Sequence, residues 1–321
     1  MNTLCRWAAA LVLGCASSLA AAQAYPAKPI RMVLPFPAGA PSDLVGRIIG
    51  QKMGEQMGQN LVPDNRVGAG GNLALGLTAT SPPDGYTVVV TSPTVAISPS
   101  LYKKLSYNPF KDLVPVARLA SIENVMVVHP SVPAKTLRQF VELARAKPGV
   151  LNYGSGGAGT TNHLANELLK HLEKLNIVHV PYKGATLATV AAISGEVDQT
   201  IVSVASILPL IRQNRVRPIV VLSEKRVPNL PEVPTSTEAG FPEFRMSIWY
   251  AMFAPAGTPR EIVQRLNQEA QKALSSKDLL QTLDQQSIIP WYGSPEQLAD
   301  LLRTETARYA TIIKSAGIQQ Q

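Results

Sequence analysis

The feature that most constrains this chain is an alternation. Runs that are short, apolar and often β-branched, IRMVLPF (30–36), GYTVVVTS (85–92), VMVVH (125–129), IVHVPY (177–182), VDQTIVSV (197–204), VRPIVVLS (216–223) and WYAMFAPA (249–256), are separated by segments of helical period. Strand-length apolar runs interleaved with helices predict an α/β fold whose sheets are largely parallel and covered on both faces. Within 42–58, Leu44, Val45, Ile48, Ile49, Met53 and Met57 fall on one helical stripe, as do Ile262, Val263, Leu266, Ala270 and Leu274 further on. Helix starts are marked by capping-box spacings at Thr136 with Gln139, Thr258 with Glu261 and Ser294 with Gln297, and by Pro259 and Pro295 at expected first helical positions.

The first 24 residues carry one cation, Arg6, then an apolar run from Trp7 to Gly14 and a small-residue stretch ending Ala22-Gln23-Ala24. That pattern predicts a secretory signal peptide cleaved after Ala24, because the apolar run is too short to cross a membrane and stay there. An alternative takes Cys15 as the lipidated end of a lipoprotein. Both cysteines, Cys5 and Cys15, lie in this segment, so a chain cut after Ala24 has no thiol for a disulfide, a thiolate metal site or a nucleophile. The expected compartment is the bacterial periplasm.

Residues 25–321 exceed one comfortable core, yet no stretch reads as a flexible linker. The chain is expected to change lobe near 120–126 and 243–250, giving a discontinuous lobe 1 (25–124 and 247–321) around lobe 2 (125–246). The formal charge of +8 falls by one with Arg6, and the remaining cations are scattered. A nucleic-acid binder concentrates its Lys and Arg on one face, so this class is not expected; a mild positive field favours encounter with a small anion.

Three glycine-containing loops precede helical stretches: Pro37-Ala38-Gly39-Ala40-Pro41-Ser42-Asp43, Asn65-Arg66-Val67-Gly68-Ala69-Gly70-Gly71-Asn72, and Asn152-Tyr153-Gly154-Ser155-Gly156-Gly157-Ala158-Gly159-Thr160-Thr161-Asn162-His163. The last contains a literal G-x-G-x-x-G. A dinucleotide site also needs an acid at the end of the next strand, and that strand ends in Lys183-Gly184. What remains is a helix N-terminus with unpaired amides and a partial positive charge, supplemented by the hydroxyls of Ser155, Thr160 and Thr161. The plainer reading is a glycine turn with Thr160 or Thr161 as an ordinary N-cap. Open α/β sheets bind ligands at the carboxyl ends of their strands, where all three loops lie.

Catalytic constellations are thin. Tyr153 occupies the place of the first glycine of a nucleophile elbow. His163, Glu167 and His171 lie four apart on one helix and read as a solvated face rather than metal ligands. His129 and His179 lie in strand patterns and read as packed or edge residues. No catalytic group, metal or cofactor is expected.

The segments PFPAGAPSD, PDNRVGAGGN, PPDGYTVVV, LNYGSGGAGTTNHLA, VPYKGA, VPTSTEAG and WYAMFAPAGTPREIVQRLN, in this order and behind a signal peptide, closely resemble the Bug receptors, the substrate-binding proteins of tripartite tricarboxylate transporters. The resemblance implies a two-lobed periplasmic binding protein, each lobe a mostly parallel sheet flanked by helices, that closes on a small carboxylate and presents it to a two-subunit membrane permease. It also implies that main-chain amides and hydroxyls grip the ligand. The candidate ligand-binding residues are Pro37, Ala38, Gly39, Ala40, Ser42 and Asp43 of the first loop, Gly71 and Asn72 of another, and Ser92 beyond a strand. Ser155, Gly156, Gly159, Thr160, Thr161 and His163 come from the serine-glycine loop, with Lys183 and Trp249 as further candidates.

Two positions depart from the family pattern. Ala40 stands where a second glycine is usual, and its methyl is expected to restrict φ and crowd an anion. Val202 stands where an aspartate is common, which favours a less polar ligand lacking an amine. Three outputs are compatible with such a chain: a monomeric transport receptor, a ligand-sensing adaptor for a sensor kinase, and an exported hydrolase or oxidoreductase. The first is the expectation carried forward, and replacing Gly154 or Gly159 by a bulky residue is expected to weaken binding while leaving the fold intact.

Overall fold

The computed structural model describes residues 25–157, 159–182 and 184–320; the expected signal peptide and Lys183 lie outside them. The chain begins with β1 (Ile30–Leu34), α1 (Pro41–Met57), β2 (Leu61–Asn65), α2 (Asn72–Ala79), β3 (Thr87–Thr91), α3 (Thr94–Leu101) and β4 (Leu113–Ile122). It continues through β5 (Asn124–Val128), α4 (Leu137–Ala146), β6 (Asn152–Ser155), α5 (Thr161–Glu173), β7 (Val178–Pro181), α6 (Ala185–Ser194), β8 (Gln199–Ser203), α7 (Val204–Arg212) and β9 (Arg217–Val221). Last come β10 (Ile248–Pro255), α8 (Arg260–Leu274), α9 (Lys277–Gln285), β11 (Ile289–Gly293) and α10 (Pro295–Ser315). Two sheets result, a six-stranded one in the order β11-β4-β10-β3-β1-β2 and a five-stranded one in the order β7-β6-β8-β5-β9. The strands β2, β4, β6 and β11 were not among the expected apolar runs; β2 (LVPDN) and β11 (IPWYG) are short and interrupted by proline.

The sheets are mixed, not mostly parallel. Parallel pairing is confined to β1 with β2 and β3, and β6 with β7 and β8. The pairs β10–β3, β10–β4, β11–β4, β5–β8 and β5–β9 are antiparallel. The physical reason is the crossing. The chain passes from β4 into β5 across the single residue Glu123 and returns to the first sheet at β10. A strand entering a sheet from the other one must run against neighbours whose carboxyl ends point toward the crossing, and β5 and β10 both enter that way.

Helix α1 shows how local pattern and packing combine. Val45, Ile49, Met53 and Met57 are buried as expected, but Leu44 is 36% exposed and its place on the inner face is taken by glycines. A β-carbon on Gly46 would sit 2.7 Å from Leu34 Cδ2, and one on Gly50 would sit 3.0 Å from Met32. The helix therefore lies closer to β1 than any larger residue would permit. Of the expected caps, Ser294 and Gln297 form the full reciprocal box, and Thr136 accepts from Gln139 N–H at 3.2 Å. Thr258 does not cap α8. Its hydroxyl donates to Pro255 O at 2.7 Å, and the helix starts one position later than expected, with Pro259 as the N-cap, whose ring can accept nothing from the first turn.

One apolar cluster packs α1 and α8 against the six-stranded sheet through Met32, Leu34, Ile49, Val90, Leu119 and Leu266. A second cluster contains residues of both sheets, among them Val89, Phe253, Met126, Tyr153, Ile201 and Tyr309. The 21-residue helix α10 carries part of it and packs against α3, β4 and α5. Among the described residues no helix is long and apolar enough to cross a membrane.

Candidate functional site

The first loop is built by the end of β1. Gly39 holds φ +82 with open space where a β-carbon would be, so glycine is needed there for its backbone alone. Ala40 is the N-cap of α1 at φ −67 and ψ 155, a region open to any residue, so its methyl brings none of the expected restriction. The helix has no side-chain cap and starts with Pro41, which has no N–H. Leu44 N–H already bonds Ala40 O at 3.0 Å, and the first-turn amides of Ser42 and Asp43 have no acceptor four residues back. Ser42 is 2% exposed and its Oγ has no partner.

Asp43 is not an open ligand group. Its buried carboxylate accepts from Gly39 N–H, from Arg47 Nε and from Asn65 Nδ2, each at 2.9 Å. Burial pushes its pKa up, and the hydrogen bonds from Arg47, Asn65 and Gly39 outweigh that and hold it below the usual carboxylate range. Asp43 thus braces the loop. Gly71, at φ +99, brings the neighbouring loop within contact of Pro35 and Thr94. Asn72 is occupied by its own chain, donating to Ala69 O and accepting from Tyr107 OH at 2.8 Å. Ser92 Oγ lies 3.2 Å from Thr94 Oγ1.

The second loop follows β6. Ser155 Oγ accepts from Gly157 N–H at 3.1 Å and lies 2.6 Å from His179 Nε2. Gly156 N–H donates to Asn162 Oδ1 at 3.4 Å, and Gly159 N–H donates to His163 Nδ1 at 3.0 Å. Thr160 occupies the N-cap position of α5 without capping it, because its hydroxyl is turned back to Gly157 O at 2.7 Å. Leu164 N–H bonds Thr160 O at 2.9 Å, so Thr161, Asn162 and His163 form an uncapped first turn. Asn162 is 7% exposed and its Nδ2 has no partner. It was missed in the sequence, although its place at the second helical residue matches that of Ser42.

Of the side chains expected to form a solvated face on α5, His171 is exposed, but His163 and Glu167 are buried, at 5% and 7% exposure. Glu167 accepts from Tyr153 OH at 2.5 Å and from Lys170 Nζ at 2.7 Å, and α5 is sandwiched by β6, β8 and α10. Burial lowers the pKa of His163 to about 4, helped by His179 and Lys170 and opposed by Glu167. Burial likewise lowers that of His179. Both rings are neutral near pH 7. Trp249 is buried in the cluster shared by the sheets, with Nε1 unpartnered. Val202 is buried in the apolar cluster that includes Val125, Val204 and Ile207.

Helix α3 links the loops. Its first residue, Thr94, meets Gly71, and its last, Leu101, fills the space where a Gly159 β-carbon would be; next to it, Tyr102 OH is 2.8 Å from the corresponding position on Gly70. Gly159, at φ +75, is thus pinned by backbone and packing, while a β-carbon on Gly154 would press on Val197, Ala188 and Tyr182 at 3.2 to 3.3 Å. Bulky replacements at either glycine strain the fold itself, contrary to expectation. A cavity of about 490 Å³ lined by Val114, Arg260, Asn267 and Ser294 shares no residue with either loop. What the two loops offer together is a pair of open helix N-termini, five unpaired first-turn amides and two buried donors, with Arg47 committed to Asp43. Such donors suit an anion stabilised by dipoles.

Comparison with known proteins places the chain. Residues 45–318 match the family model described as "Tripartite tricarboxylate transporter family receptor". Protein BugT of Bordetella pertussis is 33% identical over 92% of this chain and 91% of its own. The solved structure described as R. palustris Rpa4515 with adipate aligns with a TM-score of 0.83 at 34% identity, over 92% of this chain and all of that one. MatC from Rhodopseudomonas palustris with bound malate aligns with a TM-score of 0.77 at 32% identity, over 90% of this chain and all of that one. The expected two-lobed periplasmic binding protein fold is therefore present, and the chain belongs to the receptor family of the tripartite tricarboxylate transporters.

Proposed function

We propose that this chain is a non-enzymatic periplasmic receptor that holds a small organic carboxylate between its lobes and delivers it to a two-subunit membrane permease. The lobes are 25–124 with 247–321, and 125–246. The observation that carries the reading is the repeated arrangement at Ser42 and Asn162: each is buried, each is the second residue of an uncapped helix, and each has a donor without a partner. A buried donor left unpaired costs about 1–3 kcal/mol, and a carboxylate accepting from it removes that cost. Two such helix ends, one after β1 and one after β6, can each take a carboxylate oxygen pair or share one. Because the donors belong to different lobes, a ligand that bridges them stabilises the closed state only by its contacts there.

Adipate and malate, carried by similar proteins, are the natural first probes. A thermal-shift and calorimetric screen of mono-, di- and tricarboxylates tests the reading. A true ligand at 100 times its Kd adds about 2.7 kcal/mol of stability. Sub-micromolar binding of an uncharged sugar, with no carboxylate binding, would overturn it. Loss of carboxylate uptake in a deletion strain, restored by this chain, tests delivery.

A further inference from the structure

Behind the serine-glycine loop stand three stacked rings. His163 and His179 have centroids 4.2 Å apart at 21°, and His179 and Tyr153 have centroids 4.8 Å apart at 14°. Each histidine also holds the loop. Gly159 N–H donates to His163 Nδ1 at 3.0 Å, so that nitrogen keeps its lone pair and the ring proton belongs on Nε2. His179 Nε2 lies 2.6 Å from Ser155 Oγ, which in turn accepts from Gly157 N–H at 3.1 Å. The turn is thus tied to the two rings at both ends, at Ser155 and at Gly159.

Taking the loop as one half of the carboxylate site, we propose that His163 and His179 are positioning residues: as a neutral stacked pair they hold the Ser155–Thr160 turn so that the first amides of α5 stay open, and protonating His163 releases the turn and weakens ligand binding. Protonation puts an N–H on Nδ1 facing the Gly159 N–H, and two donors repel where one bond stood. Burial and the neighbouring ring both oppose that charge, so the release lies on the acid side of neutrality. Among the described residues the charged groups acting on the rings are Glu167, which favours the imidazolium, and Lys170, which opposes it, both on α5. From β6 come Tyr153, whose own ionisation burial and Glu167 push far up, and the neutral Ser155. Across the cleft, α3 contributes apolar Leu101 at Gly159. Helix α10, packed against α5, adds no charge that acts on either ring.

The test uses the full mature chain, ¹⁵N-labelled, with wild type, H163N and H163L. In H163N the side-chain oxygen takes the place of Nδ1 as acceptor and does not titrate. In the ligand-free wild type, the Gly157 and Gly159 amides should shift together with one midpoint below pH 5.5, and in H163N they should not. Adipate affinity should fall about twofold more between pH 7.5 and 4.0 in wild type than in H163N, which sees the same protonation of adipate itself, because about half of His163 is protonated at the lower pH. H163L, lacking an acceptor, should bind weakly at every pH. Flat amide shifts in wild type, or an H163N profile equal to wild type, would overturn the proposal. If no carboxylate binds at pH 7.5, the functional reading fails, while the amide titration still decides whether the histidines hold the turn.

Discussion

Asn124 Nδ2 donates to the carbonyl of Met246 at 2.7 Å, joining the two segments by which the chain crosses between its sheets. Asn124 is 1% exposed and opens β5, while Met246 lies two positions before β10 and its N–H donates to Leu222 O at 3.0 Å. Replacing Asn124 by Leu leaves the Met246 carbonyl without this donor, at a cost of about 1–3 kcal/mol. Urea denaturation should show the loss as a lower midpoint. An unchanged midpoint means that the crossing is held by packing alone.

Glu123 is the residue of the first of these segments that joins β4 to β5. Its Oε1 accepts from Ser121 Oγ at 3.4 Å and its Oε2 has no partner. Burial raises its pKa to about 7; Ser121 opposes the rise and Glu224 adds to it. Because the folded value lies above the unfolded one, the folded state keeps the proton longer. The stability linked to Glu123 is therefore full below about pH 4.5 and is lost as pH rises through 7. E123Q removes this slope and should stabilise the protein at pH 8 by roughly 1–3 kcal/mol relative to wild type, with little gain at pH 4.5. Denaturant midpoints at the two pH values decide it; equal shifts at both speak against a titrating Glu123.

Asp43 has the opposite sign. Its folded pKa is depressed, so its contribution is present above the ordinary carboxylate value and disappears as pH falls through the folded one. D43N keeps the shape but loses at least one acceptor facing Arg47, Gly39 or Asn65, and should cost about 1–3 kcal/mol at pH 7. The acid limb of its stability profile should be shallower than that of wild type. If the limb is unchanged, other carboxylates dominate acid unfolding.

Ser42 and Asn162 give the sharpest test of the carboxylate reading. S42A removes one buried donor, and a hydrogen bond to a charged group is worth about 1.5–3 kcal/mol, so affinity should fall roughly 10- to 100-fold. N162D keeps the oxygen that accepts from Gly156 N–H and replaces the unpartnered nitrogen with negative charge, so it should bind carboxylates at least as poorly. Calorimetry with adipate reads both. Affinities unaffected by either change would move the site away from the two helix ends.

Binding should also respond weakly to salt. The donors are buried amides and neutral side chains, and Arg47, on the helix that follows the first loop, is tied to Asp43. Screening acts on exposed charges across about 10 Å at 0.1 M ionic strength and much less on buried dipoles. Titrations from 20 to 500 mM NaCl should shift the carboxylate Kd by less than about threefold; a steep dependence would point to lysine or arginine side chains at the ligand.

The glycine loops at helix starts and the absence of a ribose acid were legible in the residues, since both are local; that Thr160 leaves α5 uncapped was not, because its hydroxyl had a choice between the first-turn amides and Gly157 O. The apolar stripe of α1 was legible too, except that its glycines, not Leu44, face β1. Asn162 carried a local signal of its own, since it occupies, as Ser42 does, the second residue of a helix opened by a glycine loop.

Long-range pairing was not legible. That Asn65 reaches Asp43 from 22 residues away, that His179 stacks on His163 and bonds Ser155, and that Glu167 is consumed by Tyr153 follow from how β2, β6, β7 and α5 are laid against one another. The mixed direction of the strands has the same origin, in where the chain crosses between sheets. The sequence by itself determined which backbone segments can present unpaired amides, because that is local stereochemistry. Only the tertiary structure decided which side chains remain free to meet a ligand, because a buried polar group bonds to whatever packing brings within about 3 Å of it.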